Sequence, residues 1–264
     1  MFDMNKFYGG ENENPLERPA VNGGLCRIFR TVACVGDSLS SGEFESLTEG
    51  GVVGYHDMFE YSWGQHMARA AGIKVYNFSA GGMSAKQYVD SFAELNGMWD
   101  RDKLAQCYII ALGVNDWGNP DYPHGSADDI DVKNWRNNKP TFAGDYARII
   151  GRYKEMQPDA RFFLVTAPKN EKDKPSLEGH SEILHAVAEK FDNTYVIDFD
   201  HYGPVCDSEF RSKFFVGYHL NAAGYTFFAE LTMSYIDWII RHNLKDFAQA
   251  GFIGTPYYYS GLKK

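Results

Sequence analysis

The chain has few cysteines, and they carry no pattern. Cys26, Cys34, Cys107 and Cys206 form no CxxC pair and no metal-ligand spacing. Two of them, Cys34 and Cys107, sit inside apolar runs, where a free thiol behaves as a small buried hydrophobe. No zinc site, disulfide framework or other cofactor is therefore expected. Positive charge is also short: 26 Lys and Arg stand against 35 Asp and Glu, a net charge of −9, with no basic run. Such a field repels nucleic acid and anionic membrane surfaces alike. Long hydrophobic stretches are missing too. The longest, at residues 107–112 and 162–165, fall far short of the roughly 20 residues that span a bilayer. The first ten residues show no basic segment followed by an apolar one, so no signal peptide is visible and a soluble, cytoplasmic protein is expected.

What is present suffices for a core. With 264 residues, 44% of them hydrophobic, the chain should bury roughly three quarters of its unfolded surface as a single domain. Residues 1–25 lack a period and read as an arm laid over the surface, and 242–264 read as a tail. Between them, short apolar runs at 31–35, 74–78, 107–112, 161–166 and 194–197 suit buried parallel strands. Helical spacing separates them. Trp63, Met67 and Ala70 form one apolar face, stopped by Gly72; residues 84–95 form another segment. Phe142, Tyr146, Ile149, Ile150 and Tyr153 stop before Pro158, and Ile183, Leu184, Val187 and Phe191 follow. The strongest pattern, Tyr225 to Ile239, starts after Asn221 as N-cap. Five strand–helix alternations predict an α/β fold with a five-stranded parallel sheet covered on both faces. The long polar stretch 117–139 is of a size that is usually functional or flexible.

In such sheets ligands sit at the carboxyl ends of the strands. After the first strand comes Gly36-Asp37-Ser38-Leu39, where the turn presents a serine; taken alone, a plain helix N-cap explains the block better. After the second comes Asn77-Phe78-Ser79-Ala80-Gly81-Gly82, whose glycines let the backbone approach a ligand. After the third comes Gly113-Val114-Asn115-Asp116, where an amide side chain either donates to an oxyanion or makes an Asx turn. His219 precedes the last helix. Together these are the parts acyl transfer needs: a hydroxyl nucleophile, a base, and donors aimed at an oxyanion.

These four blocks resemble the SGNH (GDSL-type) hydrolases over about residues 30–240. The resemblance implies a three-layer α/β/α sandwich with flavodoxin-like strand order, and ester hydrolysis without a metal. It implies Ser38 as nucleophile and His219 as base, with the Ser38 amide, the Gly82 amide and the Asn115 side chain as oxyanion hole. Counting five on from Asn77 selects Gly82 over Gly81. One position departs from the pattern: three residues before His219, where the family has Asp, stands Val216. The site then reads as a Ser38–His219 dyad, its imidazole oriented by a backbone carbonyl or by a carboxylate from elsewhere. Asp198 and Asp200 are nearest in topology; Asp207 and Glu209 lie on the next loop.

The expected substrate is a small ester carrying a short acyl group, acetyl above all, since nothing suggests a greasy lid. Trp99, Trp117, Tyr122 and Trp135 lie near or within the third-strand loop, and aromatic faces stack on sugars as readily as they pack a core. Trp117 and Trp135, with Asp37, are therefore candidate contacts to an acylated carbohydrate. A lysophospholipase or thioesterase is the alternative, and a catalytically silent ligand-binding relative is the reading from another class.

Overall fold

The computed structural model describes residues 3–10, 12–171 and 177–259. The apolar runs form five parallel strands: β1 (Thr31–Gly36), β4 (Lys74–Ser79), β5 (Cys107–Ala111), β6 (Arg161–Val165) and β7 (Thr194–Ile197). Their order is β4-β1-β5-β6-β7, the flavodoxin-like arrangement, with Gly36 in register with Ser79 on one side and Ala111 on the other. The strand ends that carry the candidate residues are thus side by side. Helices cover both faces and make a three-layer α/β/α sandwich.

One face packs Phe78, Tyr108, Ile110 and Phe162 against the Phe142–Met156 helix; the other packs Val32, Cys34, Ile109 and Phe163 against the Ala222–His242 helix. Local signals place the helix ends. Asn221 caps the last helix by accepting from the Gly224 amide at 2.9 Å, and Gly72 ends the Trp63–Ala71 helix with φ +67°. Residues 85–95 are helical throughout but widen to a π-turn at Tyr88–Phe92, where the buried Tyr88 hydroxyl meets that of Tyr153 at 2.7 Å.

The N-terminal arm lies on the last helix, where the Leu25 amide donates to Asp237 at 2.8 Å and Trp238 Nε1 to the Glu13 carbonyl at 2.8 Å. The C-terminal segment closes the amino end of the sheet, with Gln106 Nε2 donating to the carbonyls of Gly251 and Ile253. Stretch 117–139 folds into two short 3-10 turns, Ala127–Asp129 and Trp135–Asn137, held by its own polar side chains. A hairpin, β2 (Glu43–Leu47) with β3 (Val53–Asp57), and a shorter one, β8 (Phe215–Val216) with β9 (His219–Leu220), stand beside the sheet's carboxyl edge. No helix among the described residues is long and apolar enough to cross a membrane.

Candidate active site

At the end of β1, Ser40 packs so closely on Gly36 that any side chain there would collide with it. The chain turns through buried Asp37, whose carboxylate accepts from the Leu39 amide at 3.0 Å and caps the Ser38–Ser41 turn. Burial pushes the Asp37 carboxyl up to about 6. The Ser38 carbonyl accepts from Ser41 Oγ (3.2 Å) and Tyr225 Oη (3.4 Å). The Ser38 hydroxyl is uncommitted among the described residues.

His219 stands on β9, cross-strand from Val216. The intervening turn passes through Gly217 at φ +65°, against which the Glu45 carboxylate packs closely enough to exclude a side chain. His219 Nδ1 donates to Glu45 Oε1 at 2.6 Å, and the same oxygen accepts the Tyr218 amide at 2.7 Å. Tyr55, paired with Glu45 across the hairpin, sets its ring edge-on to His219 with centroids 5.8 Å apart. A carboxylate on Nδ1 fixes the proton there and leaves the lone pair on Nε2. That nitrogen has Glu43 Oε1 at 3.1 Å, with both side chains largely buried. The Glu43 carbonyl accepts from Tyr225 Oη at 2.7 Å, so one phenol ties the Ser38 turn to the hairpin.

The third element comes from the loops after β4 and β5. Gly82 is left-handed at φ +69° and faces open space. Asn115 Nδ2 donates to the Met83 carbonyl at 3.0 Å, which uses one of its two amide protons and aligns the other group beside the glycine loop. Asp116, buried, accepts the Ala85 amide at 3.0 Å, and burial pushes its carboxyl up to about 7. Behind Asn115, His180 lies against Gly113 and its Nε2 donates to the Leu112 carbonyl at 3.0 Å. Burial drives His180 down to about 4, so it is neutral and serves the loop. Among the described residues, no group of three or more His, Cys, Asp or Glu is placed to hold a metal ion.

The carboxylate on His219 Nδ1 is Glu45, one from elsewhere in the chain and not the Asp198 or Asp200 expected there. Asp198 is engaged elsewhere, with His185 Nε2 at 3.0 Å, Thr166 Oγ1 at 3.2 Å and the His201 amide at 3.0 Å. Asp200 faces Lys169 at 4.0 Å, Asp207 caps the following helix through the Phe210 amide, and Glu209 pairs with Lys213. The aromatic expectation also narrows. Trp135 packs on Gly151 and bonds Glu155 at 2.9 Å, toward the far end of the Phe142–Met156 helix. Trp99 is buried against Tyr153, and Tyr122 is buried on Asp145. Only Trp117 of the four reaches the site's surroundings, stacked on His124 with centroids 3.8 Å apart.

A cavity of about 520 Å³ runs along the same sheet edge. Its lining includes chain neighbours of all three site residues: Asp37 and Leu39 beside Ser38, Val114 beside Asn115, Tyr218 and Leu220 beside His219. Trp63, Phe199, Phe215 and Phe228 give it apolar walls.

Residues 34–227 match the GDSL-like Lipase/Acylhydrolase family. The chain belongs to that family. Among solved structures it is similar to a family two carbohydrate esterase from Clostridium thermocellum in complex with cellohexaose: TM-score 0.56, 17% identity, covering 89% of this chain and 66% of that one. It is also similar to a Corynascus thermopiles (Myceliophthora fergusii) carbohydrate esterase family 2 enzyme with a carbohydrate binding domain, at TM-score 0.55 and 15% identity over 81% of this chain and 67% of the other. A possible lipase from Chitinophaga pinensis gives TM-score 0.51 and 16% identity over 81% and 98%. At these identities the likeness is one of fold. No curated protein matches the chain. Membership of the GDSL-like Lipase/Acylhydrolase family supports a hydrolase acting on esters.

Proposed function

We propose that this GDSL-family protein cleaves a small carboxylic ester through an acyl-enzyme on Ser38. The observation that carries the reading is the 2.6 Å hydrogen bond from His219 Nδ1 to Glu45, which leaves the lone pair on Nε2, on a strand that packs against the Ser38–Ser41 turn. His219 takes the Ser38 proton as Oγ attacks the ester carbonyl, and Glu45 stabilises the imidazolium that forms. The amides of Ser38 and Gly82 and the Asn115 side chain receive the oxyanion. The protonated imidazole then hands its proton to the leaving alcohol. Water, deprotonated by the same nitrogen, releases the acid. Turnover of p-nitrophenyl acetate, abolished in Ser38→Ala, tests the reading; turnover surviving in that variant overturns it, and a folded wild type without turnover supports a silent binding relative.

For the acyl part, acetyl is the smallest occupant and a longer chain is a second reading, favoured by the cavity. A volume of about 520 Å³ with apolar walls lies in the range that holds whole organic ligands. Each methylene buried there adds about 0.8 kcal/mol. A series of p-nitrophenyl esters from acetate to octanoate separates the two: kcat/KM rising with chain length favours the cavity as acyl site, and a steep fall beyond acetate favours the short acyl group. An acylated sugar as alcohol part rests on Trp117 alone among the aromatic side chains named above.

A further inference from the structure

The hairpin that supplies Glu45 also supplies Glu43, and the two carboxylates are differently placed. Glu45 is satisfied: its Oε1 accepts from His219 Nδ1 and from the Tyr218 amide. Glu43 is not. Its carboxylate is about as buried as the imidazole, at 13% and 12% exposure, yet it accepts no hydrogen bond among the described residues. Its close neighbours are His219 Nε2 at 3.1 Å and Gly81, where an added Cβ would run into the Glu43 carboxylate. It therefore bridges the base and the glycine loop, on the nitrogen that must hand a proton to the departing alcohol. A carboxylate partly withdrawn from water gains from a donor brought to it, and burial raises the Glu43 carboxyl above the usual range, opposed by His219. Asp57 and Glu45 add negative charge around it.

Resting on the hydrolase reading above, we propose that Glu43 is the specificity determinant for the alcohol part of the ester. It accepts a hydrogen bond from a hydroxyl on the carbon adjacent to the one that bears the ester oxygen. The substrate class is thus monoesters of neutral vicinal diols and polyols. Alcohols or thiols that carry phosphate are disfavoured by the three carboxylates, which sets this class apart from acyl-thioester and lysophospholipid substrates. A site built to bond a substrate hydroxyl discriminates strongly against an analogue lacking it, because its own buried group is then left unpaired.

The test compares 2-hydroxyethyl acetate with 2-methoxyethyl acetate, which differ in the one donor, and reads the ratio of their kcat/KM values. The wild type should prefer the hydroxyl ester by on the order of tenfold or more, as a hydrogen bond to a charged group warrants. Glu43→Ala should bring the ratio close to one. Glu43→Gln, which keeps the shape against Gly81 and a weaker neutral acceptor, should give an intermediate ratio. Hydrolysis of p-nitrophenyl acetate by each variant reports separately on acyl transfer. A wild-type ratio near one overturns the proposal and leaves the hydrolase reading standing. So does a ratio that survives Glu43→Ala while kcat falls equally on both esters, the mark of a group that serves only the imidazolium. No turnover of any ester by the wild type overturns both.

Discussion

His219 Nδ1 and Glu45 Oε1 lie 2.6 Å apart although 174 residues separate them in the chain. The bond joins a strand of one small hairpin to a strand of another, and both hairpins stand outside the central sheet. It places a carboxylate where Val216 cannot. Replacing Glu45 by Gln keeps the shape and removes the charge that stabilises the imidazolium, and the amide is free to favour the wrong tautomer. The drop in kcat should approach 10⁴-fold, with KM little changed. Asp198→Ala should leave most turnover in place. Steady-state kinetics of both variants on p-nitrophenyl acetate make the check; a large loss for Asp198→Ala and none for Glu45→Gln would return the role to the fifth strand.

Asn115 has one amide proton on the Met83 carbonyl, and in the proposed function its other serves the oxyanion. Loss of a single such donor costs about 10²–10³ in turnover. Asn115→Ala should therefore lower kcat by that factor and leave KM within a few-fold. An unchanged kcat in a folded variant would make Asn115 a loop residue only.

Tyr225 Oη donates toward the carbonyls of Ser38 and Glu43, at 3.4 and 2.7 Å. Tyr225→Phe leaves both acceptors without that donor and costs about 1 kcal/mol in stability. Thermal unfolding should show a Tm lower by a few degrees, and kcat should fall several-fold as the serine turn and the hairpin lose their tie. A variant with wild-type Tm and kcat would show that the two are held independently.

Burial raises Asp116 to about 7 in the folded protein from an ordinary value near 3.8. The folded state then binds the proton more tightly than the unfolded chain. The group's contribution to stability is complete below about pH 4 and is lost as pH rises through about 7. Asp116→Asn keeps an acceptor for the Ala85 amide but cannot ionise. Its Tm relative to wild type should climb steadily from pH 4 to pH 8. A difference that does not change with pH would show that Asp116 does not titrate in that window.

The sheet, its helices and the positions of the four site blocks could be read from the chain because each leaves a local mark. Parallel strands buried on both faces are short apolar runs, and Gly72 and Asn221 are chemical stops and starts of helices. Glu45 left no comparable mark. Its role depends on tertiary distance, and its hairpin is exposed on much of its surface, with Val53 and Tyr55 at 44% and 59% exposure. The alternation Glu43-Phe44-Glu45-Ser46-Leu47 before a Gly50-Gly51 turn was the available signal, a half-buried strand with two carboxylates on one face. Trp135 misled for the opposite reason: an aromatic in a long polar loop looks like a ligand contact, but the loop folds back so that this ring covers Gly151.

The covalent step is the centre of the account and can be measured directly. Incubation with an alkyl fluorophosphonate, followed by intact-mass and peptide mass spectrometry, reads where the nucleophile is. The expected result is one adduct per chain, on Ser38, formed much more slowly in His219→Ala and Glu45→Gln and absent in Ser38→Ala. An adduct on another serine, or labelling of Ser38 at the wild-type rate in both the His219 and Glu45 variants, would contradict it.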